Sequence, residues 1–81
     1  MMVTVTLLYF ASLRERAGAA SETVDTSAHD LAGLYAEVQA RHGIAWPREH
    51  LRVAMNGEFA HWRDAPTEGS EIAFIPPVSG G

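Results

Sequence analysis

Chemistry needs side chains that ionise, coordinate or attack, and this sequence holds few of them in workable patterns. Its four histidines stand at positions 29, 42, 50 and 61. None lies three or four residues from another, so no helix face can present two imidazoles to a metal. Asp25 with Asp30, and Glu68 with Glu71, could be read as carboxylate pairs. Their neighbours read as turns and a helix start, where acids serve solvation and capping. The absence of cysteine removes a disulfide framework, a thiolate metal site and a thiol nucleophile together. A glycine-rich phosphate loop, a Gly-x-Ser-x-Gly elbow and a basic-aromatic patch are missing too. Neither an internal active site nor a metal site is expected.

What remains is Ile75-Pro76-Pro77-Val78-Ser79-Gly80-Gly81. Two prolines fix φ and favour an extended run that leaves the domain. Six residues at about 3.3 Å each reach roughly 20 Å. Gly80 and Gly81 have no Cβ, so a partner can close tightly on the backbone and nothing shields the terminal carboxylate. This is the profile of a carboxylate offered as a substrate, with Gly81 as the reacting residue. The folded domain is expected over residues 1–75 and a flexible tail over residues 76–81.

The elements that must carry this tail follow from periodicity. Residues 3–10 are β-branched and aromatic and begin with strict alternation, which predicts a first strand. At Leu7-Leu8-Tyr9-Phe10 the alternation breaks into four apolar residues, so both strand faces there need cover from the fold or from a partner. Residues 11–18 read as a polar turn or loop, and residues 22–26 as a strand pairing back on the first. Ser27-Ala28-His29-Asp30 has the form of a capping box. Leu31, Leu34, Tyr35 and Val38 then recur at helical spacing. Gly33 within that helix costs about 1 kcal/mol relative to alanine, and Gly43 should stop it. Residues 51–55 alternate again, Asn56-Gly57 is a strong hairpin signal, and residues 58–62 return. Residues 66–70 form a turn before the last strand, residues 71–75. Two strands, one helix and further strands predict an α+β domain with a helix on one face of a sheet.

The chain has 81 residues, 47% of them hydrophobic and 20% charged, which is the composition of one globular domain. The formal charge is −4, and all six basic residues are arginine. That balance argues against nucleic acid and fits a basic protein partner better. Without lysine the chain has no side-chain amine for lysine-linked self-chains. No apolar run nears the roughly 20 residues of a membrane span, and residues 1–10 lack a basic leader pattern, so a cytoplasmic location is expected. A domain this small buries only about 60% of its unfolded surface; some of its apolar residues should therefore remain outside.

Leu8-Tyr9-Phe10-Ala11-Ser12-Leu13-Arg14-Glu15 with Ala17-Gly18, Arg52-Val53-Ala54-Met55-Asn56-Gly57, and residues 68–81 ending Pro76-Pro77-Val78-Ser79-Gly80-Gly81 resemble the small subunits of molybdopterin synthase (the MoaD family). The last of these segments is the most specific. The resemblance implies a ubiquitin-like β-grasp fold with a mixed sheet, and a sulfur carrier rather than an enzyme in its own right. An adenylating and sulfurating enzyme would activate Gly81 with ATP, and sulfur from a persulfide would leave a terminal thiocarboxylate. In the large synthase subunit that sulfur would pass to cyclic pyranopterin monophosphate, in a complex of two large and two small subunits. No cofactor would be held stably by the chain. By position, the resemblance assigns Phe10, Phe59 and Ile75 to the partner-facing surface and Arg14 to a polar contact with the activating enzyme. Pro76, Pro77, Val78, Ser79 and Gly80 would thread the tail. A carrier serving thiamine, a thiolated nucleoside or cysteine, and a ubiquitin-like protein modifier, stay open as alternatives.

Overall fold

The computed structural model describes residues 2–76. Five strands and two α-helices follow in the order β1 (Val3–Tyr9), α1 (Ser12–Ala17), β2 (Ser21–Thr26), α2 (Leu31–His42), β3 (Arg52–Met55), β4 (Glu58–Ala60) and β5 (Glu71–Ile75), with a single 3-10 turn at Arg48–His50 between α2 and β3. The sheet order is β2-β1-β5-β3-β4. β1 pairs parallel with β5, and every other pairing is antiparallel. The sheet is therefore mixed, and α2 packs on one of its faces.

Inward residues follow the strand alternation: Val5, Leu7 and Tyr9 from β1, Val53 from β3, and Ile72 and Phe74 from β5 are all buried. The helix stripe of Leu31, Leu34, Tyr35 and Val38 meets them. Val5, Ile72, Phe74, Leu31, Leu34 and Val38 are thus core residues. Phe74 is the aromatic hub, 5.1 Å from the Tyr35 ring and stacked on Trp62 at 6.1 Å with planes 6° apart. That stack explains a boundary. The returning strand, expected to run to residue 62, ends at Ala60, because Trp62 leaves the ladder to cover Phe74.

Two other expectations need correction. Residues 11–18 are not a simple loop, since Ser12–Ala17 form a short helix. Six residues cannot display helical periodicity, and the helix is held by burial of Leu13 and by the Gly18 N–H donating to the Arg14 carbonyl. The helix expected from the Ser27 capping box starts one turn later, capped by Asp30, whose side chain accepts from the Gly33 N–H at 2.8 Å. The Leu31 and Ala32 N–H groups donate to the Asp64 and Trp62 carbonyls at 2.9 Å each, and Leu34 donates to the Asp30 carbonyl. Three donors that a helix start leaves unpaired, those of Leu31, Ala32 and Gly33, are thus satisfied, two of them by a distant loop that the local sequence cannot reveal. Gly33 also fits: a Cβ there would stand 3.3 Å from the capping oxygen of Asp30.

The hairpin is as its sequence demands. Asn56 (φ 54°) and Gly57 (φ 85°) both take left-handed conformations, as a two-residue hairpin turn requires. Asn56 does more, exchanging hydrogen bonds with the Glu71 backbone at 2.8 and 3.0 Å and pinning the turn to the start of β5.

At the other end of the sheet, Glu22 on β2 gathers three partners. Its Oε1 accepts from the Tyr9 hydroxyl at 2.7 Å and lies 2.9 Å from His42 Nε2 and 3.5 Å from Arg41. Burial alone would raise the Glu22 carboxyl; hydrogen bonds from His42 and Tyr9, with the charges of His42 and Arg41, outweigh it and hold it below its ordinary 4.5. Glu22→Ala is expected to cost about 1–2 kcal/mol near neutral pH. Because the folded-state value is depressed, the carboxylate's contribution is complete above about pH 4.5 and disappears as pH falls through the lower folded value. Urea unfolding of both proteins in neutral and acidic buffer checks this, with the gap between them expected to narrow in acid.

Candidate functional site

One helix covers one face, so the outward residues of the same strands define a second surface. The ladder registers place Leu8 beside Ala73, Ala73 beside Ala54, and Ala54 beside Phe59, forming one apolar row across four strands. One step toward the end of β5, Ile75 pairs with Arg52; one step the other way, Thr6 pairs with Glu71. Phe10 follows β1 on the same side as Ile75.

Side-chain size turns this row into a groove. Ala54 and Ala73 form a low floor, while Leu8, Phe10, Phe59 and Ile75 rise around it to enclose about 270 Å³. Phe10 is 47% exposed and Phe59 is 70% exposed, and no element of the described residues covers either. A second cleft of about 420 Å³ adjoins it, sharing Phe59 and Ile75 and extending past Leu51 and Arg52 to Pro76. Arg52 lies over the Phe59 ring, 5.3 Å from its centroid. The groove therefore ends where the chain leaves β5 for the tail.

The structure thus brings together Phe10, Phe59, Ile75 and, in the adjoining cleft, Pro76, which is buried. Arg14 is exposed on α1 and does not line the groove. Pro77, Val78, Ser79, Gly80 and Gly81 lie outside the described residues. Leu8, Ala54 and Ala73 were not singled out as site residues. The run of four apolar residues ending at Phe10 was the signal for Leu8, but alanines carry none until the ladder aligns them. Among the described residues no group of three or more His, Asp or Glu could hold a metal, and no helix is long and apolar enough to cross a membrane.

An apolar surface of this kind can hold a protein partner, and the one ionisable side chain lining its groove among the described residues is Glu71. If it serves docking rather than stability, Phe59→Ser should change the unfolding free energy by less than about 0.5 kcal/mol. Phe74→Ala, on the opposite face of the sheet, should cost about 3–5 kcal/mol. Denaturant titration of the two variants tests the division between surface and core.

Known proteins share both the sequence and this architecture. The ThiS family model matches residues 7–81. The molybdopterin synthase sulfur carrier subunit of Homo sapiens is 38% identical, over 95% of this chain and 93% of that protein. The crystal structure of small archaeal modifier protein 1 from Haloferax volcanii aligns with a TM-score of 0.78 at 26% identity, covering 94% of this chain and 99% of that one. A chain from the complex of subunits 1 and 2 of molybdopterin-converting factor of Helicobacter pylori aligns at 0.65 and 25% identity, covering 98% of this chain and 100% of that one. With a family match that runs through both central strands to residue 81, and a mixed sheet carrying one long helix, the chain belongs to the ThiS family and has its ubiquitin-like β-grasp fold.

Proposed function

We propose that this chain is the sulfur-carrying small subunit of a molybdopterin synthase, acting in the cytoplasm. The observation that carries the reading is the placement of an uncovered apolar groove at the root of the tail, in a chain whose full-length relatives include named sulfur carriers. A partner seated on Phe10, Phe59 and Ile75 would receive the tail beside it. The tail would then enter the partner's active site, which supplies the acid, base and phosphate-binding groups.

The chemistry belongs to Gly81. A carboxylate is a poor electrophile, so an adenylating enzyme would first transfer AMP from ATP to one of its oxygens, releasing pyrophosphate. A persulfide sulfur would attack the carbonyl carbon and expel AMP, and cleavage of the sulfur–sulfur bond by a thiol would leave the thiocarboxylate. In the large synthase subunit this sulfur would attack cyclic pyranopterin monophosphate in forming the dithiolene. Pro76 and Pro77 would keep the tail extended, Val78 and Ser79 would contact the channel, and Gly80 would allow it to close. Arg14, exposed one turn beyond Phe10, would meet the adenylating enzyme. Two large and two small subunits would make the working assembly. ATP serves the activating enzyme, and the chain itself holds no cofactor.

A second reading, a protein modifier joined to other proteins through Gly81, has its support in the likeness to small archaeal modifier protein 1. Intact mass and product analysis separate the two. Protein taken from its host with its activating enzyme should carry the mass gain of one oxygen exchanged for sulfur. Mixed with the large subunit and the pyranopterin precursor, that form should yield molybdopterin, and deletion of Gly81 should abolish the product. Isopeptide-linked adducts without any thiocarboxylate would favour the modifier.

A further inference from the structure

The groove is apolar along its floor but polar in its ends. Where β5 begins, the outward position is Glu71 beside Thr6; where it ends, Ile75 lies beside Arg52. Four residues of strand set these two ladder positions about 13 Å apart along the sheet. A carboxylate stands toward one end of the surface and a guanidinium toward the other.

Arg52 differs from the arginines whose side chains serve the fold. Arg41 pairs with Glu22, and Arg16 donates to the Gly43 carbonyl at 2.8 Å. Among the described residues, the ion pairs are those of Glu22 with Arg41 and His42, and none involves Arg52. Glu49 and His50 line the same cleft without pairing with it. Its contact with the Phe59 ring stations the guanidinium at the junction of groove and cleft. A guanidinium over a ring keeps its N–H donors available, and their fork geometry matches a carboxylate.

We infer that Arg52 is a specificity-determining residue of the docking surface, receiving an aspartate or glutamate of the partner while a bulky apolar side chain of the same partner segment sits over Ala54 and Ala73. The inference rests on the docking reading above. The net charge of −4 disfavours a polyanion such as nucleic acid, whereas a single carboxylate matches the single guanidinium. Glu71 sets the direction, because a segment docked the other way round would bring its acid against that carboxylate. Phe59 thus has two tasks, as a wall of the groove and as the platform of the charge.

The test measures affinity of the full chain for the large synthase subunit of the same genome, at low and at high salt. Arg52→Glu should weaken this binding about tenfold or more at low salt and flatten or invert the salt dependence. Arg52→Lys, which keeps the charge but loses the fork, should fall between; so should Phe59→Leu, which keeps the apolar wall but loses the ring. Thermal unfolding of all three should match the unaltered chain. Ala73→Leu, which fills the floor of the groove, provides the reference. If Ala73→Leu abolishes binding while Arg52→Glu binds like the unaltered chain at both salts, the groove is used and the role of Arg52 is overturned. If neither substitution alters binding, the docking reading falls together with it.

Discussion

A single helix can shield only one face of a five-stranded sheet, and the rest of this structure follows from that constraint. α2 has twelve residues, about 18 Å of helix, and its apolar stripe is used up on the inward side chains of β1, β3 and β5. Among the described residues, no second layer covers the outward side chains of the same strands. At one end of the sheet that is harmless, because Thr4, Thr6, Thr23 and Asp25 face outward there, and Thr4 donates to Asp25. At the other end Leu8, Phe10, Phe59 and Ile75 surround two alanines. Where no element of the described residues covers such side chains, the surface is suited to a partner.

The parallel pairing of β1 with β5 decides where that surface lies. Parallel strands end together, so Tyr9 stands beside Phe74 and the next residues, Phe10 and Ile75, flank the exit of the chain. Residues separated by most of the sequence thereby share one rim. An antiparallel pairing would have put Phe10 at the start of β5, away from Pro76. The hairpin completes the rim by carrying Phe59 from β4 over Ala54, and Asn56 locks it through the Glu71 backbone. The Glu22 cluster secures the opposite side, joining the end of β1 to the C-terminal turn of α2 through Tyr9 and His42.

The two faces also separate kinds of sequence information. Strands and the long helix were legible because their patterns are local: alternation at residues 3–7, a stripe at 31, 34, 35 and 38, and Asn-Gly at 56 and 57. The short helix α1 was not, because it rests on one buried leucine rather than on a repeat. The start of α2 was misplaced because its first donors bond to Trp62 and Asp64 carbonyls about thirty residues away. Trp62 was assigned to a strand for the same kind of reason, since its stacking partner Phe74 lies in another element. Of the docking surface, Phe10, Phe59 and Ile75 were named through family resemblance. The alanine floor and Arg52 came into view only with the ladder.

By itself, then, the sequence determined a small α+β chain, and it pointed to the Pro-Pro-Val-Ser-Gly-Gly segment as the place to propose chemistry. These are matters of residue type and near-neighbour spacing, which need no fold to be read. Only the tertiary structure decided that Leu8, Phe10, Phe59 and Ile75 gather around one groove at the end of β5, with Glu71 and Arg52 toward its two ends. The reason is register. Which strands are neighbours, and which residues then stand side by side, depends on pairings between distant parts of the chain, and a single change of direction or a one-residue slip would place a different set together.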